Sequence, residues 1–312
     1  MDFLRSTLNA FHPSSSDLSP SRFWSGGSDP LARLAQGLEQ SPFTTEDSLR
    51  KSLEQHRQAL YDGQTRDQYL VFKPVPPAVA SELSDDASPT SKYCRFSFNA
   101  ETGILIARIC PSNAHERAKR TFDMLIFREL HAMHVDEEVT PLGSTTVTVG
   151  DWTKEADCCW APDSTPTRLT FVVEVGLFES EQQLAFDADS WLETLSSSVK
   201  LVVTISINRE SPEIILNRWE LIPRRSDAWM GSPPFSVCRT AFVKIIQKDD
   251  VTSVTGESCV DGTTTTITQL DLPFEKIVDR SPCQPLERDL SISEHRLKYF
   301  AECIWIGQNL IP

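Results

Sequence analysis

Apolar residues recur along this chain with two spacings, and the places where the spacing changes mark its elements. Leu49, Leu53, His56 and Leu60 fall three or four apart behind Thr44 and Thr45, either of which can cap a helix ending near Gly63. Tyr93 to Phe98 and Ile104 to Ile109 read as two strands turning across 99–103. Ala118, Phe122, Leu125, Ile126, Leu130 and Met133 then form one stripe, which predicts a helix over about 114–134. Glu129 falls on or beside that stripe. Thr145 to Trp152 alternates as a strand and leads through Asp151 towards Asp157, and a strongly apolar run over 168–175 follows beyond Pro162 and Pro166, so the two strands can form a hairpin.

The same period gives a helix over 181–195 with Leu184, Ala188, Trp191, Leu192 and Leu195 on one face. Strands are predicted over 199–207, 213–222, 236–246 and 263–268. Ser291 with Glu294 resembles a capping box ahead of a last helix carrying Leu297, Phe300, Ala301 and Ile304 on one side. Two stretches lack a period: the Ser, Pro and Gly-rich first 30 residues, and Pro74 to Ser91, which reads as a loop. With no internal repeat and no linker after residue 92, the expectation is an α/β protein. Residues 1–66 form a flexible extension with an accessory helix, and 67–312 form one domain.

Against this background one residue is out of place. Glu174 sits near the end of the run Phe171-Val172-Val173-Glu174-Val175, and an ionised group in apolar surroundings costs several kcal/mol unless it is paired, hydrogen-bonded or bound to a metal. Asp157 precedes it near another strand. If the two strands pair, both carboxylates meet in a site of hard oxygen ligands. The bland alternatives are that Glu174 pairs with Arg168, Lys200 or a backbone amide, and that Asp157 caps a turn. Asp187 and Asp189 are two apart on a helix and point in different directions, which favours surface or capping roles.

The order of an acid-bearing helix, a strand with Asp157, an apolar strand with Glu174, a helix and a strand resembles that of the PD-(D/E)XK nuclease-like superfamily. Within it, Glu174-Val175-Gly176-Leu177-Phe178-Glu179-Ser180 and Asp187-Ala188-Asp189-Ser190-Trp191-Leu192 look like a large set of uncharacterised fungal members. So do Leu272-Pro273-Phe274-Glu275, Asp289-Leu290 and Ala301-Glu302-Cys303-Ile304-Trp305. The resemblance runs from about Phe96 to the C-terminus. It implies a restriction-endonuclease-like core, a mixed sheet flanked by helices. It also implies Asp157 and Glu174 as ligands of Mg2+ or Mn2+, and Glu129 as the acid of the first core helix. In the superfamily a lysine two residues after the glutamate shares its face and assists the attacking water. Here that position is Gly176. Gln182 and Gln183 at the start of the next helix are candidate replacements, with Gln183 the catalytic candidate. Lys154, three residues before Asp157, falls on the opposite face by strand alternation unless a bulge intervenes. Two functions follow: a degenerate nuclease fold used for binding, and an active metal-dependent nuclease hydrolysing DNA or RNA.

Charge weighs on that choice. The formal net charge is −14, whereas nucleic-acid binders display basic surface to neutralise phosphates, so nucleic acid is disfavoured and a protein partner favoured. Two sets could build a local basic groove: Arg117, Lys119, Arg120 and Arg128, and Arg218, Arg224 and Arg225. No stretch approaches the roughly 20 apolar residues of a membrane span, and the start has no signal-peptide core. The 8 cysteines show no CxxC spacing and read as reduced thiols of an intracellular protein, with cytoplasm and nucleus both open. His131 and His134 share a helix face but have no third ligand nearby.

Overall fold

Two β-sheets divide the polypeptide, and the chain passes between them three times, the last at Ala156 and Asp157. The computed structural model describes residues 30–312 apart from 66, 86, 110–112, 150, 178–180, 194–196, 224–234 and 261. Residues 1–29 of the expected extension, together with Arg224 and Arg225, lie outside the described residues.

In chain order the first elements are α1 (Pro30–Gly37), β1 (Gln40–Pro42), α2 (Glu46–Tyr61), β2 (Tyr69–Lys73), α3 (Pro77–Leu83), β3 (Cys94–Asn99) and β4 (Ile104–Ile109). Then come α4 (Asn113–Ala132), β5 (Val139–Gly143), β6 (Thr146–Val149), β7 (Trp152–Glu155), β8 (Cys158–Pro162), β9 (Phe171–Gly176) and α5 (Glu181–Leu192). The last part holds β10 (Leu201–Ile207), β11 (Glu213–Pro223), β12 (Phe235–Lys248), β13 (Val251–Val260), β14 (Thr263–Ile267), β15 (Leu270–Leu272), α6 (Phe274–Val278), β16 (Leu290–Ile292) and α7 (Glu294–Gln308). The smaller sheet has the order β1-β2-β4-β3-β7-β6, the larger β14-β13-β12-β11-β10-β9-β8-β5, and β15 pairs β16.

The larger sheet explains the apolar run at 171–176. Strand β9 lies between antiparallel β8 and parallel β10 and every one of its residues is buried, so both faces need apolar cover. Its odd positions, Phe171, Val173 and Val175, pack in one core with α4 residues Phe122 and Ile126 and α7 residues Phe300 and Ile304. Val172, on the other face, packs with Ala188 and Trp191 of α5. The succession α4, β5, β8, β9, α5, β10 builds the expected α/β arrangement, a mixed sheet flanked by helices.

Several expectations are corrected. Residues 30–65 do not trail away: β1 pairs in parallel with β2, and Leu49, Leu53 and Leu60 of α2 join the core of the smaller sheet. Thr45 is the cap of α2, accepting from the Ser48 amide at 3.2 Å. The stretch Pro74 to Ser91 contains α3 and a 3-10 turn, Pro89–Lys92, because Pro76 and Pro77 start a helix without needing amide donors. Ser291 lies in β16, and α7 begins after Ser293, which makes no side-chain cap, so no capping box forms. Among the described residues no helix is long and apolar enough to cross a membrane.

One glycine fixes the pairing of β12 with β13. A Cβ on Gly256 would stand 2.2 Å from the Phe242 carbonyl oxygen and 3.0 Å from Val243 Cα, both on the facing backbone. Gly256→Ala must push the strands apart, and it is expected to cost about 1–3 kcal/mol. A urea midpoint equal to that of the wild type would show that the ribbon yields without penalty.

Candidate functional site

The passage between sheets brings the two predicted acids together. Cys158 pairs with Val173, so the residue before β8 stands opposite Glu174. Asp157 and Glu174 share the sheet face that α5 covers, since Cys159 and Ala161 of β8 and Val172 of β9 also point there. Both carboxylates are buried, Asp157 at 0% exposure and Glu174 at 1%.

What lies between them is an arginine. Arg108 of β4, itself buried, reaches from the smaller sheet and places Nη2 2.6 Å from Asp157 Oδ2 and 2.6 Å from Glu174 Oε2. Its Nη1 donates at 2.9 Å to Asp187 Oδ2 on α5, which also accepts from the Tyr69 hydroxyl at 2.9 Å. Most of the remaining acceptor positions are engaged too, although Asp157 Oδ1 has no hydrogen-bond partner among the described residues. Asp157 Oδ2 takes the Val175 amide at 2.9 Å and has His115 Nε2 at 3.2 Å. Asp157 Oδ1 has Arg95 Nε at 3.5 Å, and Glu174 Oε1 accepts from the Trp191 indole at 2.7 Å. These donors and charges come from β2, β3, β4, β9, α4 and α5.

The electrostatics follow from one guanidinium facing three carboxylates. Burial would raise Asp157, but the Arg108, His115 and Arg95 charges outweigh it and hold the carboxyl well below its ordinary value. Glu174 moves the other way: burial, then repulsion from Asp157 and Asp187, outweigh Arg108 and push it up to about 7. Burial also pushes Glu155 up to about 7, despite Arg95 at 3.3 Å. Glu116 of α4 is held at about 2, chiefly by its hydrogen bond from His115.

The other candidates are distributed differently. Glu129 is not part of the cluster; it is buried on the α4 side, where it pairs with Arg288 at 3.0 Å and with Arg296 and accepts from the Ser291 amide at 3.3 Å. The end of α4 that does approach Asp157 carries His115. Gln183 is half-buried on the first turn of α5, one turn before Asp187. Gly176 ends β9 on the Glu174 face and supplies no side chain. Asp187, read from sequence as a surface residue, is a full member of the cluster. Glu174 pairs with neither Arg168 nor Lys200, both of which bind Asp279.

Lys154 is a further correction. Because the chain changes sheets at Ala156 and Asp157, simple alternation does not carry across, and Lys154 turns inward. Its ammonium sits 4.0 Å from the centre of the Trp191 ring and donates to Ser190, and it is 2% exposed. Arg95, Tyr69, His115 and Arg108 were missed altogether. A signal for two of them was present: an arginine inside Ile104-Leu105-Ile106-Ala107-Arg108-Ile109, and another beside Phe96, are the counterparts of a glutamate inside a valine run.

A divalent cation does not fit this donor set. Magnesium needs carboxylate oxygens with lone pairs directed at one point, at about 2.0–2.1 Å, whereas here Asp157 Oδ2, both Glu174 oxygens and Asp187 Oδ2 already accept from Arg108, Val175, Trp191 and Tyr69. A second cation would also share the Asp157 and Glu174 oxygens with the guanidinium. Among the described residues no group of three His, Cys, Asp or Glu is arranged to hold a metal ion. Access is as restricted as charge. The cavity beside Arg108, Glu174 and Asp187 measures about 10 Å³, room for about one water.

Comparisons with known proteins add little to this geometry. No family model matches the chain, and no curated protein matches its sequence. One solved structure to which it is similar is a DUF820 protein from Anabaena variabilis proposed to be a nuclease. The two share 10% identity at a TM-score of 0.29, over 46% of this chain and 75% of that one.

Proposed function

We propose that this chain is a nuclease-like domain that works by binding a partner, its carboxylate centre having become a structural ion-pair network. The observation that carries the reading is the buried Arg108 guanidinium bridging Asp157, Glu174 and Asp187. With Gly176 at the lysine position and net charge −14, neither the chemistry nor the surface favours phosphodiester hydrolysis.

The alternative is an active metal-dependent nuclease using Mg2+ or Mn2+, and one observation favours it. Lys154 lies within the same buried region as Glu174, where a displaced lysine would serve. That reading requires Arg108 to leave the cluster and substrate to enter.

The test is direct. Purified protein with manganese is expected to leave supercoiled plasmid and single-stranded DNA intact, and calorimetric titration of manganese is expected to give only heats of dilution. Cleavage that is lost in both Asp157→Asn and Lys154→Met would overturn the proposal and assign the lysine role to Lys154.

A further inference from the structure

Away from the acidic cluster, the solvent side of α4 carries a feature that the fold does not require. Arg117, Arg120, Met124, Phe127 and His131 follow one another at steps of three and four, so they form a single ridge. All are exposed, Met124 at 52% and Phe127 at 49%. The Phe127 ring stacks on His131 at 5.8 Å, which holds it in place on the surface.

Beside this ridge, between α4 and the edge strand β5, lies an open cavity of about 230 Å³. Its floor is Leu130, Val139, Pro141 and Trp160, and Met124 and Phe127 form its rim with Arg120. Trp160 is itself fixed by stacking on Phe171 at 4.6 Å, so the floor is rigid. The volume is below the 300–1,000 Å³ typical of small-molecule sites and matches one large side chain. An apolar patch with a charged rim is a usual mark of a protein contact.

Charge identifies the partner. The chain as a whole is strongly acidic, yet this ridge presents Arg117 and Arg120, with Arg128 also exposed on the helix. Arg120 makes no ion pair among the described residues, whereas Arg117 is anchored to the Cys303 carbonyl at 3.0 Å and lies one turn away. Asp123, the one acid on the wall, is half-buried, and its pKa is raised by burial against an opposing hydrogen bond from Trp160.

We infer that this groove docks an acidic peptide segment of a partner protein, one bulky apolar side chain filling the cavity over Trp160 while carboxylates meet Arg120 and Arg117. The inference rests on the reading of the chain as a binding module. The probe is a fluorescein-labelled decapeptide rich in Asp and Glu with a single central tryptophan, titrated into the full chain and read by anisotropy. Saturable one-to-one binding is expected, weakened about tenfold or more by Arg120→Glu or Met124→Glu, and likewise when alanine replaces the peptide's tryptophan or lysines its acids. Both substitutions are at exposed positions, and melting curves matching the wild type establish that they fold.

Equal binding of the tryptophan and alanine peptides, unchanged affinity in Arg120→Glu, or no binding would overturn the inference. Sedimentation of the protein alone gives a further decision: a dimer undone by Met124→Glu would assign the face to a second copy and overturn it too. The same preparations are assayed on plasmid with manganese. Cleavage would remove the binding-module reading itself, whereas failed peptide binding without cleavage removes only the groove.

Discussion

Arg108→Met is expected to cost the folded state about 3–5 kcal/mol, the largest effect of any single substitution in the cluster. Methionine fills much of the arginine's volume, so the loss comes from charge rather than from a void. Without the guanidinium, Asp157, Glu174 and Asp187 remain buried, with no cation bridging them. Arg108→Lys is expected to rescue only part, because one ammonium cannot present the two-nitrogen fork that reaches three carboxylates. Combining Arg108→Met with Glu174→Gln and Asp187→Asn is expected to recover stability relative to Arg108→Met alone, by removing the charges left behind. Urea unfolding at about pH 7 measures all four proteins. If Arg108→Met unfolds at the wild-type midpoint, the guanidinium does not hold the cluster together and the structural reading fails.

The second large effect is a loss of stability as pH rises. Glu155 and Glu174 are both at about 7, against an ordinary value of 4.5, and Asp189, buried on α5, is pushed up to about 8 from 3.8. An acid raised in this way keeps a proton in the folded protein that the unfolded chain has already released. Stability therefore declines from about pH 4.5 until the folded-state value is passed, near 7 for the glutamates and near 8 for Asp189. Asp157 and Glu116 act in the opposite sense. Their contribution is complete above the ordinary carboxylate range and is lost only as pH falls below about 4. Maximal stability is thus expected between about pH 4 and 4.5. A tenfold difference in proton affinity between the folded and unfolded chain is worth about 1.4 kcal/mol, and relaxation around the ionised group reduces the sum. A fall of a few kcal/mol, or about 5–10 °C in Tm, is the expected size between about pH 5 and 8. Glu174→Gln should flatten part of the profile between about pH 5 and 7. A profile that rises over that interval would show that Glu174 and Glu155 ionise at their ordinary values.

Much of the larger sheet, β9 to β12 and β14, was legible from its apolar or β-branched runs and from the regular stripe of its helices, whereas β5, β8 and β13 were not foreseen. The run at 171–176 announced a strand buried on both faces, and α4 announced the core beside it. Asp157 and Glu174 could be paired because a hairpin of adjacent strands is a local relation. The residues that close the cluster are not local. Arg108 lies 66 positions from Glu174 and 79 from Asp187, and Tyr69 lies 118 from Asp187. No periodicity spans such separations, and the smaller sheet that delivers these side chains was itself only half foreseen, as the single hairpin of β3 and β4. Lys154 was misplaced for a different reason. Alternation is a property of one continuous strand, and the chain leaves one sheet and enters another between Glu155 and Cys158.

That crossing also governs how the molecule can move. A protein that encloses a duplex must open, and among the connections between the sheets Ala156 and Asp157, the short step between β7 and β8, would have to flex. Asp157 is instead tied on one side to Arg108 and Arg95 of the smaller sheet and on the other to the Val175 amide of the larger. Swinging the sheets apart would strand buried charge on both halves, so the slow breathing motion that admits a bulky ligand is the one this joint suppresses. The Val175 amide should accordingly exchange its hydrogen only when the whole molecule unfolds.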